Sequence, residues 1–476
     1  VKFFEGVKMA LELEVYTGIL TYRDVEFSYM FDGEELRLIP PKEKCWEVEG
    51  WYHQSFGTGI HLGREPFYIK DEFLTGKCNE TGQTMIFIPR YQQVGSYNHV
   101  LIVAIEAFFI EKYHREWVDR IAFECKELDG IFNAEQCIEN TEWSKDGVIS
   151  VTTKDFDATT SEKQVFSVSG REVSVYFGIA RRREKYFDGS VLTVHSVMYF
   201  EFEKTNDFLF LFQLWKYAKA FIRYLCYRDN ILMGNATIAA PAEGGLHETF
   251  AELTVVENVA EEEKKVFEQK RCISQPLISC CEGKILNDVA NGSLYLRHVP
   301  KSYADGLRID ASRFVMITAA FEWEFRRCYP DGITKSEATQ RVEAEATSEL
   351  QKLVDASTGK LKNKYKFLKR LIKSDSLQSE LSQVGKDYDS IIGNFGRHLY
   401  SRNDVELDYN EMGERLANQR NHFAHGDLDQ EFIGTSLLDL IFLEYIIYAM
   451  QLNYYGVSPE NIRKAINDLF HLSYRL

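Results

Sequence analysis

The chain contains no P-loop, no G-x-S-x-G elbow and no H-E-x-x-H pair. Walker-type nucleotide hydrolysis, α/β-hydrolase chemistry and zincin proteolysis therefore have no motif to rest on. There is no C-x-x-C either; the nine cysteines are scattered, with Cys280 and Cys281 adjacent. That spacing offers no zinc knuckle, redox pair or disulfide framework, and it predicts buried reduced thiols in a cytosolic protein. Gly57, Gly59 and Gly63 spell G-x-G-x-x-x-G, which misses the dinucleotide fingerprint and reads as a loop or hairpin. His53 and His61 join neither Cys45 nor Cys78 in a ligand spacing, so no metal is assigned.

Long uncharged runs are missing too. Lys216, Lys219 and Arg223 interrupt Phe208–Tyr227, and Asp439 and Glu444 interrupt Phe432–Tyr455. Neither offers the roughly twenty apolar residues of a transmembrane helix, and no membrane partner is expected. The N-terminus lacks a basic region followed by an apolar run, so no signal peptide is expected and the cytoplasm is the expected location. The chain opens on Val1, which places a start upstream or near Met9. Positive charge is in deficit, with 56 basic against 72 acidic residues and a net charge of −16. A general nucleic-acid-binding surface is excluded; contact with nucleic acid needs a local basic patch. What remains is ordinary globular composition, 45% hydrophobic and 27% charged over 476 residues. Collagen-like, disulfide-scaffold and wholly disordered chains are ruled out, and two or three domains are expected.

Two periodicities divide the chain near residue 300. Before it, short runs of β-formers between turn residues predict strands at Leu11–Tyr16, Val25–Met30, Glu35–Ile39, Cys45–Tyr52, Thr84–Ile88, Gly147–Thr153, Glu172–Gly178 and Val191–Phe202. Helices are predicted at Val100–Tyr113 and from about Asn206 to Arg228, with Asn206 or Asp207 as N-cap. The charged stretch Glu257–Cys272 reads as a connector. After it, helical spacing covers Arg313–Cys328, Glu337–Asp355, Leu361–Ile372, Leu377–Leu399, Asn410–Phe423, Glu431–Tyr454 and Pro459–Phe470. Leu361, Tyr365, Leu368 and Ile372 share one face of the third of these. Glu431–Tyr454 is apolar almost all round, as befits the central helix of a bundle. Ser458 and Pro459 make a good helix start.

One segment carries chemistry: Arg420-Asn421-His422-Phe423-Ala424-His425-Gly426-Asp427. On a helix, Asn421 and His425 are four residues apart on one face. Arg420 sits about 140° from His425, within reach of its long side chain. Gly426 can end the helix and leave His425 exposed at its last turn. A permanent cation, an amide and an imidazole suit metal-free RNA cleavage. There the 2′-hydroxyl attacks phosphorus, a base takes its proton, and an acid protonates the leaving 5′-oxygen. Histidine titrates in the needed range, and arginine can grip the phosphate with both arms. No cofactor is called for.

The R-N-x-x-x-H pattern near the end of a C-terminal helical bundle resembles the signature of HEPN domains, many of which are ribonucleases. The whole arrangement is similar to the ApeA family of single-protein anti-phage defence factors, which pair a strand-rich N-terminal domain with a C-terminal HEPN domain. The resemblance implies an α+β protein. Residues 1–300 would form a β-sandwich-like sensing or regulatory domain and residues 301–476 an all-α HEPN ribonuclease bundle. It also implies a homodimer that brings two R-x4-H motifs into one composite site, with Arg420, Asn421 and His425 carried over as catalytic residues. The expected activity is abortive-infection RNA cleavage, often of tRNA in the family's defence members, set off by a phage-derived trigger.

His422, Asp427 and Glu322 are possible supporting residues; Glu322 could orient His425 or pair with Arg420, while an ion pair with Arg326 or Arg327 is the plainer role for Glu322 and Glu324. Lys362, Lys366, Lys369 and Lys373 fall on one helical face, within a run from Lys360 to Lys373 that has no acidic residue. That face would track an RNA backbone, although a solvated face balancing nearby acids gives the same pattern. Arg181-Arg182-Arg183 reads as a loop. The competing reading is a non-catalytic HEPN module that binds nucleotide or protein, with a β-sandwich recognition domain whose aromatic residues (Trp46, Trp51, Tyr52, Phe56, Phe67, Tyr68) suit a binding surface.

Overall fold

The structure, a computed structural model, describes residues 15–51, 67–69, 72–91, 93–97, 99–143, 149–187, 189–242, 246–257, 269–333, 336–373, 375–426, 432 and 434–473. The glycine loop with His53 and His61, most of the 257–272 connector, Asp427 and the side chain of Lys373 lie outside them. The chain forms two compact units whose segments interleave. One comprises Val1–Ile222, Asn230–Glu262 and Glu282–Asn291; the other comprises Arg223–Asp229, Glu263–Cys281 and Gly292–Leu476. A single break near residue 300 therefore describes chain order, and packing follows a more divided path.

The first unit is strand-rich. Its strands are β1 (Tyr16–Tyr22), β2 (Val25–Phe31), β3 (Glu35–Ile39), β4 (Phe67–Tyr68), β5 (Leu74–Cys78), β6 (Thr84–Pro89), β7 (Gln93–Tyr97), β8 (Val100–Glu111), β9 (Val118–Glu124), β10 (Ile138–Trp143), β11 (Ile149–Thr153), β12 (Gln164–Val168), β13 (Arg171–Tyr186), β14 (Gly189–Thr205), β15 (Ala236–Pro241) and β16 (His247–Val255). All but β10 and β11 join one 14-stranded sheet, whose main path runs β12-β13-β14-β9-β15-β16-β8-β3-β2-β1-β5-β6. Pairing of β6 back onto β8 closes the last six strands of this path into a barrel. The expected β-sandwich is thus a single antiparallel sheet that closes on itself, which removes two exposed edges. The barrel interior is aromatic: Phe31 lies edge-on to Phe87 and Phe108 at 5.1 and 4.9 Å between ring centroids. Strict alternation along β2, whose residues Val25, Phe27, Tyr29 and Phe31 are all buried, supplies that face.

Two predicted elements change type. The apolar run from Val100 to Glu111 is the long strand β8, not a helix. Leu101, Val103, Ile105 and Ala107 point inward in period two, and the run is rich in β-branched and aromatic residues. It also occupies the centre of the sheet: β3 and β7 flank its first part, and β6 and β16 its second. The alternate residues Val100, Ile102 and Ala104 are only half-buried but are apolar as well, so the run lacks the polar alternation that marks a half-exposed strand. Conversely, Cys45–Tyr52, expected as a strand, holds the helix α1 (Cys45–Gly50), entered through a 3-10 turn after Pro41. Val48 is its buried residue, and Trp51 just beyond packs on Tyr22 and Phe27.

The arginine triplet is not a loop. Arg181, Arg182 and Arg183 lie within β13, paired with Val194, Thr193 and Leu192 of β14. Arg181 stacks over Phe156 at 4.3 Å and donates to Thr159 Oγ1 at 2.9 Å, so at least one of the three has a structural task. The remaining helices of this unit are α2 (Lys126–Ile131), α3 (Phe208–Cys226) and α4 (Glu282–Ala290); the last turn of α3 belongs to the second unit. The Asp207 carboxylate accepts from the Phe210 amide at 3.0 Å, the predicted N-cap of α3. A Cβ at Gly283 of α4 would stand 2.4 Å from the Val165 carbonyl of β12, so only glycine allows that close approach.

The second unit is helical: α5 (Tyr303–Gly306), α6 (Ala311–Cys328), α7 (Glu337–Ala356), α8 (Gly359–Lys373), α9 (Leu377–Ser401), α10 (Tyr409–Ala424), α11 (Ser436–Tyr455) and α12 (Pro459–Phe470). The predicted helices of this half are all present. Side-chain caps start them: Asp310 on α6, Ser336 on α7, Ser376 on α9, Asp408 on α10 and Ser458 on α12. The central helix α11 packs against α6, α9, α10 and α12. Among the described residues it alone is long and apolar enough to cross a membrane, and 78% of its most apolar stretch is buried.

Three buried polar residues on α11 each meet a partner. Asp439 takes two hydrogen bonds from Arg415, at 2.8 and 2.9 Å, and one from Tyr400. Glu444 pairs with Arg313 at 2.8 Å. Gln451 donates at 2.9 Å to Glu324, which is itself paired with Arg327 at 2.6 Å. A buried charge costs several kcal/mol unless paired, so these matches fix how the neighbouring helices face α11. The apolar face of α8 is covered in part: Tyr365 and Ile372 are half-buried. Leu361 and Leu368 of the supposed apolar face are 54% and 44% exposed, while Lys369 turns inward and bonds Gln351 of α7.

Candidate functional site

The helix α10 holds the R-N-x-x-x-H motif at its end. Its opposite side anchors it: Met412, Leu416, Gln419 and Phe423 are buried. The Phe423 ring lies 5.4 Å from Phe314 of α6 and 5.6 Å from Phe432. Ser436 at the start of α11 donates to Gln419 Oε1 at 3.4 Å. With that face committed, the motif residues point elsewhere: Asn421 and His425 are exposed and Arg420 is half-buried. Ala424 ends the helix, and His425 is its C-cap; the His425 amide donates to the carbonyls of Asn421 at 3.1 Å and His422 at 3.2 Å. Gly426 follows at φ +98°, a conformation glycine adopts without strain, and it turns the chain just after the histidine. The local sequence thus exposes the imidazole where the helix stops.

Arg420 is held. Its Nη1 bonds Glu322 of α6, and the other oxygen of Glu322 lies 3.5 Å from Arg326. Glu322 therefore pairs with both Arg420 and Arg326. Glu324 pairs with Arg327. A third carboxylate was missed. Glu380 of α9 is 7% exposed, and its Oε2 has no hydrogen-bond partner among the described residues. Burial pushes its pKa up to about 7; nearby Glu322 and Asp375 add to the rise, and Arg326 and Arg420 oppose it. Glu380 thus belongs to the charge cluster around Arg420. The sequence carried a signal for it: Leu377, Leu381, Val384 and Tyr388 mark the buried face of α9, and Glu380 falls among them.

The other candidates scatter. His422 is half-buried on the same helix. Asp427 lies outside the described residues. Lys362, Lys366 and Lys369 stand on α8, which packs on α7; Lys366 is exposed, Lys362 half-buried and Lys369 bonded to Gln351. Among the described residues, no group of three or more His, Cys, Asp or Glu is placed to hold a metal ion. Chemically, the arrangement offers a guanidinium oriented by a carboxylate, a solvent-exposed imidazole one turn further on, and a buried carboxyl poised near neutrality. The chain matches no protein-family model, no curated protein and no solved structure.

Proposed function

We propose that the chain is a metal-independent endoribonuclease of the HEPN type, acting in anti-phage defence of the abortive-infection kind, with Arg420 and His425 as its catalytic residues. The observation that carries this reading is the R-N-x-x-x-H motif at the solvent-exposed end of a bundle helix, with its histidine at the C-cap. In the proposed reaction His425 takes the proton of the RNA 2′-hydroxyl as that oxygen attacks the adjacent phosphorus. The P–O5′ bond breaks, and an imidazolium, supplied by the same residue of a second copy, returns a proton to the leaving 5′-oxygen. The products are a 2′,3′-cyclic phosphate and a 5′-hydroxyl end. Arg420 binds the phosphoryl oxygens, and Glu322 holds the guanidinium in place before substrate arrives. Asn421, exposed one residue after Arg420, hydrogen-bonds the phosphate or the imidazole. The strand-rich unit senses the trigger or restrains the nuclease.

A second reading, a HEPN bundle that binds nucleotide or protein without cleaving, is favoured by one observation: Arg420 already has a carboxylate partner in Glu322. The test separates the two. Wild type, Arg420→Ala and His425→Ala are expressed in phage-challenged bacteria, and RNA ends are sequenced for 5′-hydroxyl termini. Each substitution is expected to reduce cleavage about 10²–10⁴-fold, the range for losing a proton-transfer or charge-stabilising group, and to abolish protection. Protection that survives both substitutions removes the motif from the mechanism.

A further inference from the structure

We propose that the free edge of β13 is a docking site for an acidic, extended peptide segment of another protein, which adds to the sheet as an antiparallel strand. The site lies in the strand-rich unit and shares no residue with the Arg420 motif, so it does not rest on the ribonuclease reading.

The register defines the edge. β12 pairs with β13 only from Arg171 to Val175, and β9 pairs with β14 only from Val197 onward. Past these points β13 and β14 run on as a two-stranded ribbon that stays paired to Tyr186 and Gly189. Ser161 covers one further position. Its amide donates to the Phe177 carbonyl at 2.8 Å, and its hydroxyl accepts from the Phe177 amide at 2.8 Å. Phe177 therefore turns its backbone groups away from β14. Every second residue of an antiparallel strand does the same, so Ile179, Arg181, Arg183 and Lys185 follow. Among the described residues no backbone pairs with theirs on that side. A row of open donors and acceptors is a template for a further strand.

Charge selects what can pair. Residues 179–186 carry four basic side chains and one acidic, Glu184, in a chain of net charge −16. Arg181, Arg183 and Lys185 stand on one face of the ribbon, at period two, and Arg182 stands on the other. Arg181 is committed to Phe156 and Thr159, while Arg183 and Lys185 are exposed. A second copy of β13 laid antiparallel on this edge would set these cations against themselves, and like charges directly opposite are destabilising. A strand with carboxylates at alternate positions meets each cation with its opposite. An RNA strand would leave the backbone groups unpaired, and two exposed cations are few for a phosphate track. Apolar side chains complete the surface: Phe187 at the tip is fully exposed, and Val191 and Leu192 of β14 are 51% and 45% exposed. Leu192 is the register partner of Arg183 and shares its face, which sets an apolar contact beside the charges.

The geometry also fixes which partner amides matter. Residues that exchange backbone hydrogen bonds stand opposite each other with side chains on one face. A carboxylate opposite Arg183 or Lys185 therefore belongs to a residue whose own N–H bonds β13.

Fluorescence anisotropy of the full chain with a labelled peptide alternating glutamate and valine tests the proposal. The peptide should bind one per chain, tenfold or more tighter than its lysine–valine counterpart. Methylating the glutamate amide nitrogens should weaken binding tenfold or more, and methylating the valine nitrogens should leave it unchanged. The double variant Arg183→Glu, Lys185→Glu should keep its Tm, because both side chains are exposed. It should lose affinity for the acidic peptide tenfold or more and gain it for the lysine peptide. Arg420→Ala should leave binding intact. The proposal is overturned if the acidic peptide fails to saturate by millimolar concentration, if both methylated forms bind alike, or if the double variant binds as wild type does. A single-stranded oligouridylate that binds more tightly than the peptide, and is lost in the double variant, overturns it in favour of nucleic acid. A wild-type dimer that the double variant dissociates overturns it in favour of a second copy.

Discussion

The two units bury hydrophobic mass alike and polar groups differently. In the strand-rich unit the core cluster of the barrel is apolar and largely aromatic, with Phe27, Tyr29, Phe31, Phe87 and Val103 between closed strands, and the buried carboxylates Glu111, Glu127 and Glu282 lie outside that cluster. In the helical unit, Glu324, Asp439, Glu444, Gln419 and Gln451 are buried in the core itself. The contrast follows from the backbone. A closed sheet pairs its own N–H and C=O groups and needs only volume to fill its centre. Helices packed side by side have no backbone bond between them, so their mutual rotation is set by side chains alone. Matched polar pairs such as Asp439–Arg415 single out one arrangement. The lesson is that the barrel core should answer to volume and the helical core to charge.

The largest effect expected is on the volume side. Phe31→Ala should cost about 3–5 kcal/mol by leaving a cavity among Phe87, Phe108 and their neighbours, while Phe31→Leu should cost clearly less; denaturant unfolding measures both. Equal costs would mean that the aromatic core is loosely packed, and the comparison would break. Next, Asp439→Ala should cost about 3 kcal/mol. The value falls at the lower end for a broken buried pair because the Arg415 side chain is 25% exposed and can reach water. The double variant Asp439→Leu, Arg415→Met should recover much of that loss, since a hydrophobic pair of similar volume can replace a buried ion pair. A double variant no better than the single one would show that packing, not the unpaired charge, sets the cost.

Two buried titratable groups of the helical unit should move stability in opposite directions. Burial and the Glu322 carboxylate raise Glu380 from 4.5 to about 7. Between those values the folded chain holds a proton that the unfolded chain has released, so this group's share of stability falls as pH rises through the window. Glu380→Gln should match wild type below the window, exceed it increasingly as pH rises through it, and keep a constant advantage above it, as read by Tm against pH. An advantage that does not change with pH would sink the assignment. Burial lowers His298 from 6.5 to about 3, with Arg313 adding to the fall. Here the unfolded chain takes up the proton first, so stability is lost as pH falls through that window. His298→Gln should flatten the acid limb. The smallest effect belongs to the candidate site: Arg420→Ala should cost no more than about 1 kcal/mol, because the pair with Glu322 is partly exposed and Glu322 keeps Arg326. A cost several times larger would make Arg420 a structural residue first.

Legibility followed the same division. Every helix expected after residue 300 is present, because helical period, caps and the Pro459 start are local signals that tertiary packing had no reason to override. In the sheet half, β8 and α1 were mistaken for each other's class. A strand whose half-buried face is apolar as well shows no polar alternation, and a six-residue helix has too few turns to show its period. In the candidate site, Arg420, Asn421 and His425 were visible as a spacing, and Glu322 as one possible partner among several. Glu380 lies forty residues earlier in the chain and went unnoticed.

What the residues alone determined is local: which segments of the second half are helices, that Pro459 opens the last of them, that Gly426 stops α10 behind His425, and that the chain carries too much negative charge for a general nucleic-acid surface. What only the tertiary structure decided is nonlocal. It closed β6 onto β8, brought Glu322 to Arg420, and set Arg313 against Glu444 across 131 residues of sequence. Hydrogen bonds within a turn depend on neighbours a few positions away, so the sequence displays them. Burial and charge pairing depend on which distant surfaces meet, and that is fixed only when the whole unit packs.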